Sequence, residues 1–181
     1  DGVISLREAY KLRESEFETL VLKNNRTKGN SGTGAWNCGI FNAFKRNANS
    51  YVGILDDDDE YLPNHLSDCI NAVAINPKTK AVFQSLYWQN EDESRLNFPL
   101  VKELITPRNF FIGNPGIQGS NMFFKSEAIV SINGFNETYP STSDRELMIR
   151  FLWKLSENAS HNDLTVIKPY GIIHHNHGCL L

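Results

Sequence analysis

The run Tyr51-Val52-Gly53-Ile54-Leu55-Asp56-Asp57-Asp58-Asp59 places four carboxylates directly behind five uncharged, mostly apolar residues. Adjacent acids repel one another, so stability alone would not select such a cluster. A hard divalent cation removes the repulsion, because Mg²⁺ and Mn²⁺ prefer carboxylate oxygen. The apolar residues do not alternate with polar ones. That suits a strand buried on both faces, as in a parallel sheet. The acids then stand just past its C-terminal end, where open α/β sheets place their ligands. The competing reading is a solvated acidic turn, with Asp59 capping the next segment.

The elements around this run are legible from periodicity. Residues 4–16 read as a helix and Thr19–Leu22 as a short buried strand. The polar, glycine-rich stretch from Asn24 to Gly34 opens a helix whose face is Trp36, Ile40 and Phe44. Ser31 or Thr33 is its expected N-cap. Backbone N–H groups there could also meet a phosphate, although neither a P-loop nor a GxGxxG fingerprint is present. Pro63-Asn64 starts a second helix, with Leu66, Ile70 and Val73 on one face, and Asn76-Pro77 ends it. Residues 81–83 and 86–88 read as strand and lead into a polar turn, so a hairpin is expected. Residues 97–118 lack periodicity, and a long irregular segment in a compact domain is usually functional or mobile. Asn121–Lys125 reads as strand and Ser126–Val130 as a short helix. The strongest helix begins near Ser143, with Leu147, Met148, Phe151, Leu152 and Leu155 on one stripe. Ser143 and Glu146 there form a capping-box pattern. Leu164–Lys168 and Tyr170–Ile173 are the last strands.

Composition narrows the class. A chain of 181 residues, 40% apolar and 22% charged, forms one globular domain, and its net charge of −3 argues against a nucleic-acid partner. Three widely spaced cysteines, Cys38, Cys69 and Cys179, do not make a disulfide framework and fit a reducing, cytoplasmic compartment. No apolar run approaches the length of a membrane span. The sequons at Asn25, Asn136 and Asn158 carry no role in such a compartment.

Three stretches then stand together in order. They are Asn25…Gly32-Thr33-Gly34-Ala35-Trp36-Asn37-Cys38-Gly39, the run Leu55–Asp59, and Gly134-Phe135-Asn136-Glu137 followed by Asp144-Arg145-Glu146-Leu147-Met148-Ile149-Arg150. Together they resemble the family 2 glycosyltransferases, inverting enzymes of the GT-A fold. That resemblance implies an α/β domain with a Rossmann-like, mixed, mostly parallel sheet flanked by helices. Residues 1–60 would form the donor side and 61–181 the acceptor side. It implies transfer from a nucleotide-sugar, most often a UDP-sugar, to a carbohydrate or lipid-linked acceptor, as in polysaccharide biosynthesis. Mn²⁺ or Mg²⁺ would be held by Asp56 and Asp58 of the D-x-D motif. His177 resembles the family's terminal histidine, with His175 second as a ligand. A surface histidine cluster is the alternative. Asn25, Asn37, Asp56 and Asp57 would meet the donor, and Asp144 would be the base. Peripheral membrane association at the inner face would be compatible with such acceptors.

The sequence departs from the family pattern at several positions. Trp36 stands where an arginine is usual, Asn133 and Asn136 alter the Gly-Gly-Phe-Asp motif, and Ser143 replaces a glutamate. The family's first strand and helix are not matched, so the chain reads as an N-terminally truncated domain. Two other readings compete. A sugar nucleotidyltransferase would need an N-terminal glycine-rich loop with a basic residue. A non-catalytic binding domain would not need Asp144.

Overall fold

The computed structural model describes residues 20–26, 32–157 and 163–175. The helix expected over 4–16 lies outside them. Residues 20–22 form no strand, and Leu20, Val21 and Leu22 are exposed. The expected buried strand is therefore not found over residues 20–22.

Helix α1 (Thr33–Arg46) begins where expected, but its N-cap is Gly32 at φ 73°, with no side-chain capping bond. Thr33 already lies inside the helix, and Ser31 is outside the described residues. Lys45 and Arg46 occupy the last turn, where they complement the helix dipole. Strand β1 is Tyr51–Gly53, followed by the acids, β2 (Glu60–Tyr61) and α2 (His65–Ile75). The buried side of α2 is His65 and Cys69, while Leu66 and Ile70 face outward. This rotation from the expected apolar face has a polar cause. His65 is fully buried against Gln84, Nδ1 to Oε1 at 2.6 Å, and Gln84 Nε2 donates to Asp68.

The stretches at 81–83 and 86–88 are one strand, β3 (Ala81–Gln89), and the hairpin to β4 (Arg95–Phe98) forms as expected. The irregular stretch that follows contains a short 3-10 turn at Lys102–Leu104 and helix α3 (Pro107–Ile112). Thr106 caps α3, its Oγ1 accepting from the Asn109 N–H at 3.2 Å. A second 3-10 turn, Gly119–Asn121, leads to β5 (Met122–Lys125), α4 (Ser126–Val130) and α5 (Ser143–Glu157). The two final strands are one, β6 (Leu164–His175). Its register against β3 slips near Pro169, which has no N–H for the ladder.

The sheet runs β1-β5-β3-β6-β2, with β4 continuing beside β3. It is mixed, as expected. Among the described strands, however, only β3 and β6 pair in parallel, and the other four pairings are antiparallel. The expected parallel majority is thus not found in this part of the sheet. β1 ends the described sheet and is only half-buried, rather than covered on both faces. The core lies between sheet and helices. Leu147, Met148, Phe151, Leu152 and Leu155 of α5 pack there, with Phe124 edge-on to Phe151 at 4.9 Å. No helix among the described residues is long and apolar enough to cross a membrane.

Asn37 ties α1 to the turn after α4. It is fully buried, Nδ2 donates to Phe135 O and Glu137 Oε1 at 2.8 Å each, and Oδ1 accepts the Phe135 N–H at 2.8 Å. Gly134, at φ 64°, lies so close that a Cβ would come within 2.3 Å of Asn37 Oδ1. Gly134→Ala should therefore cost about 2 kcal/mol or more, from left-handed strain and overpacking together. Urea unfolding should show a lower midpoint at unchanged slope. A wild-type midpoint would mean that the Asn37 contact yields easily.

Candidate active site

The acidic run lies between β1 and β2, and the sheet register determines what faces it. Glu60 and Tyr61 pair antiparallel with Ile173 and Ile172. Continuing that ladder by one residue puts Asp59 beside His174. His174 Nδ1 lies 3.0 Å from both Asp59 oxygens, and the His175 N–H donates to Oδ1 at 3.1 Å. The Asp59 side chain has no exposed surface. Burial alone would raise its pKa. Hydrogen bonds from His174, Ser120 and the His175 backbone, with the His174 charge, outweigh burial and hold it below the usual range. His174 is the converse: burial works to lower its pKa, but Asp59, Asp58 and Asp56 together raise it. The two form an ion pair.

Among the described residues, Asp56 has no hydrogen-bonded partner cation of this kind. Burial first, then the charges of Asp59, Asp58 and Asp57, push its pKa up to about 7, with His174 opposing. Its backbone N–H donates to Ser120 Oγ at 3.0 Å, which fixes the start of the acidic turn. Carboxylate oxygens of Asp56, Asp58 and Asp59 all lie within 4.8 Å of one another. This all-oxygen donor set suits a hard divalent cation, and the charges of the neighbouring acids add to burial in raising the Asp56 pKa. The residues present therefore fit a Mg²⁺- or Mn²⁺-class ion. Asp56 and Asp58 are the candidate ligands. Asp59 is already oriented by His174, as carboxylates near metals commonly are.

Beside the triad opens a cleft of about 600 Å³, lined by Gly32, Ala35, Trp36, Leu55, Asp56, Asp57 and Asp58. The Trp36 indole is wedged between Phe135, at 4.9 Å between ring centroids, and Gly119, whose missing Cβ leaves room for both Trp36 and Asp56 Oδ2.

The other expected site residues sit apart. Asn37, expected at the donor, is buried, with its amide bonded to Phe135 and Glu137. Asn25 is exposed in the 20–26 segment and does not line the cleft. His175 Nε2 lies 3.1 Å from Glu60, and among the described residues His174 is the histidine facing the triad. Successive residues of a strand point to opposite faces, and the two rings point apart here. His177 lies outside the described residues.

Asp144 occupies the first turn of α5, half-buried. Its Oδ1 accepts the Arg145 N–H at 2.8 Å and its Oδ2 accepts from Asn114 at 3.0 Å. Burial raises its pKa despite these donors and the Arg145 charge. The capping box does not form. Ser143 lies within the helix, and Glu146 instead holds Arg150, which donates to the Ile132 and Gly134 carbonyls.

Asp144 and the triad are joined through residues 114–121. Asn114 stands at one end against Asp144, and Ser120 stands at the other against Asp56. Three residues of this arrangement were not read from sequence, His174, Ser120 and Asn114, and Asp59 was read only as a member of the acidic run. The available signal was the glycine- and proline-rich irregularity before 118.

A model described as Glycosyl transferase family 2 matches residues 5–132. The chain belongs to that family. Two crystal structures of S. aureus TarS 1–349 share its GT-A fold. The one in complex with UDP-GlcNAc matches at 12% identity and a TM-score of 0.64, over 97% of this chain and 47% of that one. The other matches at 14% identity and a TM-score of 0.61, over 97% and 48%. The family 2 domain thus spans about half the length of these structures. No curated protein matches it by sequence.

The raised Asp56 pKa gives a signed stability test. Below about pH 4 the carboxyl is protonated folded or unfolded, and nothing is lost. As pH rises toward 7 the unfolded chain ionises first, so stability falls across that window. In chelator, Asp56→Asn should raise Tm at pH 7 by roughly 2–4 °C, for about 1 kcal/mol after solvent screening. The gain should vanish near pH 4. A gain independent of pH would rule out charge as its cause.

Proposed function

We propose that this domain is a metal-dependent inverting glycosyltransferase that moves a sugar from a nucleotide-sugar, of the UDP class, to an acceptor hydroxyl. The observation that carries the reading is the Asp56–Asp58–Asp59 triad beside an open cleft, joined by one loop to a half-buried Asp144. TarS, which shares the fold, has been crystallised with UDP-GlcNAc, and this supports the donor class.

The acceptor oxygen attacks the anomeric carbon as the bond to the diphosphate breaks, and the acceptor proton passes to Asp144. A bound divalent cation supplies Lewis-acid stabilisation for the diphosphate leaving group. Asp56 and Asp58 would hold it, while Asp59, fixed by His174, keeps the third carboxylate aimed inward. Trp36 offers a flat apolar wall to the donor, and Asp57 lines the mouth of the same cleft. Burial makes Asp144 a stronger base than a solvated carboxylate, which suits proton abstraction. The described residues up to 60 would make the donor side of this arrangement and those from 61 on the acceptor side. A carbohydrate or lipid-linked acceptor would enter from the second.

Screening UDP-, GDP- and dTDP-sugars for Mn²⁺- or Mg²⁺-dependent release of the nucleoside diphosphate tests the reading. Asp58→Asn should abolish metal-dependent donor binding yet leave the fold intact, and unchanged affinity would remove it from the ligand set. Asp144→Asn should lower transfer by at least ~10² while metal and donor still bind. Transfer at a near wild-type rate would exclude Asp144 as the base.

A further inference from the structure

We propose that Asn114 is the positioning residue of this site, a loop amide that aims the Asp144 carboxylate at the acceptor; this rests on Asp144 being the base. The orientation of the amide is determined by its partners. Oδ1 accepts the N–H groups of Gly116 at 3.0 Å and Ile117 at 2.8 Å. The NH₂ group must therefore face the other way, donating to Ile117 O at 2.7 Å and to Asp144 Oδ2 at 3.0 Å. The Arg145 N–H holds the other Asp144 oxygen at 2.8 Å. One oxygen is thus held from its own helix and one from the loop, which removes rotation about the carboxylate.

The loop is rigid enough to do this. Gly116, at φ 101°, lies against Phe98, where a Cβ would come within 2.3 Å of the ring. The Asn121 amide holds Gly116 O at 2.9 Å and Gln84 O of β3 at 3.1 Å. Ser120, next in sequence to Asn121, contacts the acidic turn. The base is therefore referenced to the same loop that fixes the metal acids, and their relative placement does not depend on α5 alone.

Among the described residues, Arg145 is the charged neighbour that acts on Asp144. The Arg145 guanidinium donates to the Phe110 and Phe111 carbonyls of α3. Arg150 is held by Glu146, and Arg108 of α3 is exposed. Burial disfavours the ionised carboxylate, and the Asn114 N–H opposes that. Removing the donor must make Asp144 hold its proton to higher pH.

Two substitutions separate positioning from mere loop building. Asn114→Asp keeps an oxygen for the Gly116 and Ile117 N–H groups but replaces the donor with a carboxylate. Asn114→Ser keeps one acceptor and deletes the donor without adding charge. The measurements are the ¹³C titration of the Asp144 carboxyl, assigned by its loss in Asp144→Asn, and the pH–rate profile with the sugar nucleotide turned over fastest in the screen. In both variants the Asp144 midpoint and the acidic limb of kcat should move to higher pH. Asn114→Asp should lower kcat at pH 7 by ~10-fold or more, with donor KM within about twofold of wild type. If neither midpoint nor kcat moves while Asp144→Asn loses its rate, the positioning role falls and Asp144 remains the base. If the midpoint moves and kcat does not, the positioning role also falls. If Asp144→Asn keeps its rate, both readings fall together.

Discussion

Mutual repulsion among neighbouring carboxylates is the constraint on which this structure turns. Four consecutive aspartates follow β1 after Ile54 and Leu55, and their charges are relieved in different ways. Asp59 is turned inward and neutralised by His174, Asp57 and Asp58 face solvent, and Asp56 is left half-buried with a pKa pushed up to about 7. What remains is a site of net negative charge with converging oxygens, at the mouth of a cleft. Unlike charges attract most strongly where water is partly excluded, so a divalent cation would gain more here than at an open acidic surface.

Positioning is achieved by strand register and by side-chain amides. The parallel register of β6 on β3, running from Ala81↔Leu164 to Gln89↔His175, carries His174 to the level of the acids. Trp88 packs its ring edge-on to His174 at 5.1 Å, which fixes the imidazole from the other side. Asn37, Asn114 and Asn121 each use a buried or half-buried amide to join segments distant in sequence. An unpaired buried amide costs more than a paired one contributes, so each of these joints is specific. The irregular backbone of 113–121 is held in place by such bonds and not by a ladder.

Much of the architecture was readable before any coordinates. The 3.6-residue stripes at 36–44 and 147–155 mark α1 and α5, Asn76-Pro77 ends α2, and the polar turn after Gln89 signals the β3–β4 hairpin. The acidic run was correctly placed beyond a strand, because an uncharged run ending in carboxylates leaves few alternatives. The match to family 2 covers two of the three short stretches that carried the resemblance, at 25–39 and 55–59, and ends before the third at 134–150.

The tertiary structure decided what sequence spacing cannot encode. Which histidine faces the acids depends on the pairing of β2 with β6, and a one-residue change of register exchanges His174 for His175. Which face of α2 is buried depends on Gln84, a residue of another strand that offers His65 a partner. Asn37 lies in a motif expected at the donor, yet the fold uses its amide to hold the turn at Gly134. Asn114 and Ser120 gain their roles only when the loop between them is folded back on α5 and the acidic turn. The sequence by itself determined local periodicity and the chemistry available at Asp56–Asp59. Long-range hydrogen bonding decided which side chains meet, because a pair such as Asp59 and His174 exists only after the sheet has closed the distance between them.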